Sequence, residues 1–144
     1  MPIKSFRGLI ANGTIDTIVL HTNDGSTGYK VVKLQIISED VADDNTEHVV
    51  KLYTIPQAAG SGTTKMDFSD PTLLGVAVTT SLNNMYAGQE IIIFDNMIFN
   101  QDIYITHVDG NGTKSCNYYI ELEQVKLDLN ENTVATLKDM RNTP

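Results

Sequence analysis

The chain has no tryptophan and a single cysteine, Cys116. One cysteine rules out an internal disulfide and sets aside the small secreted folds that lean on such bridges. Basic residues are few and scattered singly: 10 Lys and Arg stand against 18 Asp and Glu, for a net charge of −8. A phosphate-binding footprint needs a clustered basic patch, so direct nucleic-acid binding is not expected. No apolar run approaches the about 20 residues that span a bilayer. The opening Met1-Pro-Ile-Lys-Ser-Phe-Arg7 has two positive charges but no apolar stretch behind them, so it does not read as a secretory signal. A soluble protein assembled in a cytoplasm is the expectation. Internal repeats and low-complexity segments are also missing.

What is present is one domain's worth of β-pattern. A chain of 144 residues buries about 68–70% of its extended surface, enough for a core without staples. Phe6–Ile10 and Thr14–Thr22 read as a first pair of strands around Asn12-Gly13, a tight-turn signal. The second is mostly apolar and is expected centrally in a sheet, with Ile18 and Leu20 on one face and Thr17 and Val19 on the other. Asn23–Gly28 reads as a loop. Tyr29–Ile37 alternates, placing Val32, Leu34 and Ile36 together. After the acidic turn Glu39–Thr46, Glu47–Ile55 is predicted to return as its hairpin partner. Gln57–Asp70 is polar and rich in small residues; both a partner-contacting loop and a crossover between sheets are compatible with it. Pro71–Thr80, interrupted by Gly75, is the next strand, and Asn83–Gly88 the next turn.

Glu90–Leu127 organises the rest. It divides into Glu90–Asp95, Asp102–Val108 and Cys116–Leu127, the last two joined by Asp109-Gly-Asn-Gly112. In the final strand Tyr118, Ile120 and Leu122 share a face; the apolar phase then moves to Val125 and Leu127, which predicts a bulge. Beyond it, Val134, Leu137 and Arg141 fall at helical spacing. The expected fold is all-β: an antiparallel, jelly-roll-like β-sandwich of roughly seven to nine strands over residues 1–128, with a short helix or arm over 129–144.

No pattern carries catalysis, so no catalytic, cofactor-binding or metal residue is assigned, and no enzyme or cofactor is expected. His21, His48 and His107 fall near strand ends or turns with no close ligand spacing, and read as surface histidines; a zinc site that gathers them with Cys116 is the alternative. Cys116 reads as a buried small hydrophobe. Asn23-Asp-Gly-Ser26 and Asp109-Gly-Asn-Gly112 lack the distal Glu of a calcium loop and read as turns. Gly60-Ser-Gly-Thr-Thr-Lys65 lacks the Gly-Lys-Ser/Thr order of a phosphate loop. Asn12-Gly-Thr14 and Asn111-Gly-Thr113 are sequons without a secretory context. Glu121 and Glu123 share a strand face but read as solvated. Lys30, Lys33 and Lys51 read as charges that blunt strand edges. Tyr119, exposed beside those two carboxylates, gives a second reading, a carbohydrate-binding module.

Phe94–Thr106 and Asn117–Arg141, with Leu20–Gln35, resemble small virion structural proteins of marine tailed bacteriophages. The resemblance implies a non-enzymatic capsid decoration, cement or head–tail component. Its implied partners are other virion proteins, the major capsid protein among them, and further copies of itself in a symmetric assembly. It transfers no site residues.

Overall fold

The computed structural model describes residues 2–20, 26–43, 45–58, 60, 62–82, 85–94 and 97–127. The proposed C-terminal helix or arm lies outside them, as does His21. Among the described residues the protein is all-β, with eight strands: β1 (Ile3–Ile10), β2 (Ile15–Ile18), β3 (Thr27–Ser38), β4 (Asn45–Tyr53), β5 (Leu73–Leu82), β6 (Met85–Ile93), β7 (Ile103–Asp109) and β8 (Cys116–Lys126). They form two antiparallel sheets packed face to face. The small sheet has the order β1-β8-β3 and the large sheet β2-β7-β4-β5-β6. Successive strands from β1 to β4 alternate between sheets, as do β7 and β8. That is jelly-roll wiring, with β6 kept beside β5 in the large sheet. At the open side, the Gln89 amide Nε2 donates to the Ile36 carbonyl at 3.0 Å, tying β6 to β3.

This wiring corrects two pairings and one strand position read from local pattern. β1 and β2 are not a hairpin: Gly13, with φ of 75°, turns the chain from one sheet into the other. β2 is a short edge strand, not a central one. β3 and β4 also part company, β3 pairing with β8 and β4 with both β5 and β7. Alternation records which face is apolar but not which sheet a strand joins. The Gln57–Asp70 segment is likewise no crossover. It connects β4 to β5, which are neighbours in one sheet.

The core fills the space between the sheets. From the small sheet come Ile10, Leu34, Ile36, Cys116, Tyr118, Ile120 and Leu122; from the large sheet Ile18, Val50, Leu52, Ile103 and Ile105, all buried. Each buried aliphatic side chain contributes about 1.5–3 kcal/mol relative to exposure. Tyr118 fits because it faces Gly8 across the β1–β8 ladder. A Cβ at Gly8 would lie 2.8 Å from the Tyr118 hydroxyl. That hydroxyl donates to Asp16 Oδ2 at 3.1 Å, linking the small sheet to β2.

The inward faces of Tyr118, Ile120 and Leu122 are as the alternation predicts. The bulge expected in β8 is not there, since its ladder with β3 runs without a break from Leu122 to Lys126; the β3–β8 register shifts instead on β3, between Val31 and Lys33. Val32 is the extra residue. It turns outward, while Val31 packs on the core, so Val32 does not join Leu34 and Ile36. Leu127 is buried, and its N–H donates to the Ser26 carbonyl, so the chain stays on the domain through Leu127.

Candidate functional site

Two places stand out. The first is a polar cluster inside the sandwich. In the large sheet His48 shares the inward parity of Val50 and Leu52, and His107 that of Ile103 and Ile105. The ladder pairs Val50 with His107 and His48 with Asp109, which sets the two rings on neighbouring strands, one step apart along the same face. Both histidines are fully buried, at 0% exposure. This corrects the surface reading given to each one singly. His48 Nδ1 and His107 Nε2 are 2.9 Å apart, one donating and the other accepting. His48 Nε2 lies 3.1 Å from Ser38 Oγ, at the end of β3 in the opposite sheet. Ser38 Oγ also donates to the Asp40 carbonyl at 3.3 Å.

Cys116 closes the cluster from the small sheet, where it pairs with Ser38 on one side and Ile10 on the other. His48, His107 and Cys116 each bring a donor atom, and these atoms lie within 4.8 Å of one another. Among the described residues no other group of three such side chains comes together. Burial pushes the Cys116 thiol up to about 12, so it is neutral and unreactive on its own at physiological pH. Burial also holds both imidazoles below their ordinary value of 6.5, against the opposing pull of Asp109. His107 Nδ1 is buried without a hydrogen-bond partner. The Ala11 and Ile10 carbonyls nonetheless favour a proton on this ring without completing a bond of good geometry.

Asp109 frames the cluster at its turn end. Its Oδ1 accepts the N–H of Glu47 at 3.0 Å and of Asn111 at 3.1 Å, and its Oδ2 that of Lys114 at 3.1 Å. These backbone hydrogen bonds keep it ionised although burial opposes it. The Asp109–Gly112 segment is thus a turn built around its own aspartate. Ser38 also borders an open cavity of about 540 Å³ between β3 and the β5–β6 edge, with Asp43, Thr46, Thr79 and Gln89 on its walls. Solvent in that cavity stands one hydroxyl away from His48.

No family model, characterised protein or solved structure matches this chain.

The second place is the outer face of the small sheet. The ladder aligns Leu9, Asn117 and Ile37 in one row, and Arg7, Tyr119 and Gln35 in the next. Leu9 is 52% and Ile37 61% exposed. These six residues border a shallow depression of about 520 Å³. Beyond it, Tyr119 donates its hydroxyl to Glu121 at 2.6 Å, and Lys30 pairs with Glu123 at 3.6 Å. Glu121 and Glu123 are therefore partly engaged surface carboxylates. Lys30 and Lys33 do lie on an edge strand, β3. Lys51 does not: β4 is interior to its sheet. Its ammonium donates to the Lys65 carbonyl and to Thr63 Oγ1, in the stretch 62–65 of the loop between β4 and β5. That segment packs onto the outer face of the large sheet, where the Gly60 N–H also meets the Gly13 carbonyl at 3.1 Å.

The buried pair left a trace in the sequence. His48-Val-Val-Lys-Leu52 and Ile103-Tyr-Ile-Thr-His107 each place histidine in phase with the apolar face. Ser38 carries no comparable signal, because its role depends on a contact between sheets.

Proposed function

We propose that this protein is a structural component of a tailed-phage virion, a capsid decoration, cement or head–tail protein that acts by protein–protein binding. The observation that carries the reading is the outer face of the small sheet. Leu9 and Ile37 flank Asn117 in the open, while on the outer face of the large sheet the chain's own loop buries Lys51, Thr106 and Val76. Exposed apolar side chains rimmed by Arg7, Gln35, Glu121 and Lys33 have the make-up of a docking patch, with an apolar centre and a polar border. The resemblance of Phe94–Thr106 and of Asn117–Arg141 to virion structural proteins supports the same reading. The partners are other virion proteins, the major capsid protein among them, and further copies of the chain; neither direct nucleic-acid binding nor a membrane is part of this reading. The protein is assembled in the host cytoplasm and resides in the virion. Mass spectrometry of purified particles from the source is the test. Many copies per particle support a capsid or tail-tube place and few copies a connector place; absence from particles sinks the proposal.

A second reading rests on the same depression. The Tyr119 ring there is accompanied by Arg7, Gln35 and Asn117, which are hydrogen-bonding groups suited to a sugar. A carbohydrate-binding module predicts glycan-array binding that disappears in Tyr119→Ala.

A further inference from the structure

We propose that His48, His107 and Cys116 bind a zinc ion between the two sheets, with Ser38 as the outer partner of His48. The inference rests on the buried cluster alone and is independent of the virion reading.

Three arguments carry it. The donor set is two imidazoles and a thiol, the chemistry that suits zinc and not calcium or magnesium. The donor atoms come from three strands and two sheets, yet converge within 4.8 Å. Their hydrogen bonding also accommodates an ion in place of the proton shared by the two rings. In the metal-free protein a single shared proton bridges His48 Nδ1 and His107 Nε2. Whichever ring donates it, the remaining nitrogens must fit around that choice. If His107 donates, its Nδ1 is left bare and buried with no partner; if His48 donates, its Nε2 accepts from Ser38 Oγ and His107 carries its proton on Nδ1.

A cation in place of the shared proton keeps the same outer partners. His48 then binds through Nδ1, and its Nε2–H donates to Ser38 Oγ, whose own proton goes to the Asp40 carbonyl. His107 binds through Nε2 and keeps its proton on Nδ1, facing the Ala11 and Ile10 carbonyls. Ligating histidines commonly hand their second N–H to such an outer partner. The thiol of Cys116, which lies against the Ile37 and Asn117 carbonyls at 3.6 and 3.5 Å, becomes the thiolate ligand. The balance is simple: two neutral imidazoles and one thiol bind one zinc ion and release one proton. The carboxylate of Asp109 favours positive charge at the two imidazoles and opposes a bare thiolate at Cys116, so the thiol gives up its proton only to the ion. Three protein donors leave one coordination position for a water molecule.

The test uses the full chain freed of metal and titrated with cobalt(II), then zinc, under reducing conditions. Expected results are a thiolate-to-cobalt charge-transfer band saturating at one equivalent, its loss on adding zinc, and a rise in melting temperature with zinc. At a free zinc concentration 100 times the dissociation constant, the gain is about 2.7 kcal/mol. Cys116→Ala should abolish the band, and His107→Gln should weaken zinc binding by at least about tenfold. Failure of the wild-type chain to develop the band at one equivalent overturns the proposal whether or not the variants fold. So does zinc affinity unchanged in Cys116→Ala.

Discussion

On the outside of the large sheet, Lys51 is only 5% exposed; on the outside of the small sheet, Ile37 is 61% exposed. A lysine is hidden and an isoleucine is bare, the reverse of what either side chain prefers in isolation. The loop explains the first. Between β4 and β5 the chain turns back across its own sheet, and Lys51, Thr106 and Val76, aligned across three strands, are all buried beneath it. Nothing comparable covers the small sheet among the described residues. The sheets differ inside as well. The small sheet presents an almost wholly apolar inner face, whereas the large sheet carries the histidine pair. The comparison teaches that burial here follows from which segment returns over which face, and it separates a self-covered sheet from one with its outer face free for a partner.

Four measurements would break or sharpen that contrast. The largest effect is expected at the inner face of the small sheet. Ile120→Ala leaves a cavity in the closed core and should cost about 2–5 kcal/mol by urea denaturation; a loss below about 1 kcal/mol would mean the sheets are not packed as described. Acid comes next, and it acts on the large sheet. The metal-free histidines bind protons less readily in the folded than in the unfolded chain, whose ordinary value is 6.5. Stability is therefore complete above pH 6.5 and declines as pH falls from there through the lower folded-state values. A denaturant midpoint flat across that window would contradict the buried, neutral pair. Lys51→Met keeps the aliphatic stem but deletes the bonds to Lys65 and Thr63. It should cost about 1.5–3 kcal/mol and expose the Gln57–Asp70 loop to limited proteolysis; unchanged cleavage would place the hold on the loop elsewhere. The smallest effect belongs to the bare face. Leu9→Ser and Ile37→Ser should each shift stability by no more than about 0.5 kcal/mol, because neither side chain is taken out of water in the isolated domain.

Much of the sandwich can be read from alternation alone. Tyr118, Ile120 and Leu122 declare a buried face, Cys116 falls in phase with them, and Ile18 and Leu20 separate cleanly from Thr17 and Val19. The pairings could not be read, because jelly-roll wiring sends consecutive strands to opposite sheets and hides each ladder partner far along the chain: β1 meets β8 across the whole domain. The same non-locality hid the site. His48 and His107 are separated by 59 positions, and either one alone resembles a strand-end histidine. Lys51 misled for a related reason, since its burial comes from a loop whose own sequence gives no sign of where it docks. The broken phase in β8 pointed to a bulge that β8 does not have; the register shift lies on β3, where the extra residue, Val32, leaves no visible break because Val31 and Val32 are alike.

The central claim, that the open outer face of the small sheet is the docking surface, is tested most directly by quantifying this protein in purified particles. Wild-type and Ile37→Glu chains would each be supplied during assembly, after circular dichroism has established that both fold alike. The account predicts that the wild-type chain is incorporated and that Ile37→Glu falls at least about tenfold, the effect of about 1.4 kcal/mol per contact. Equal incorporation of the two chains, or no incorporation of the wild type, would contradict it.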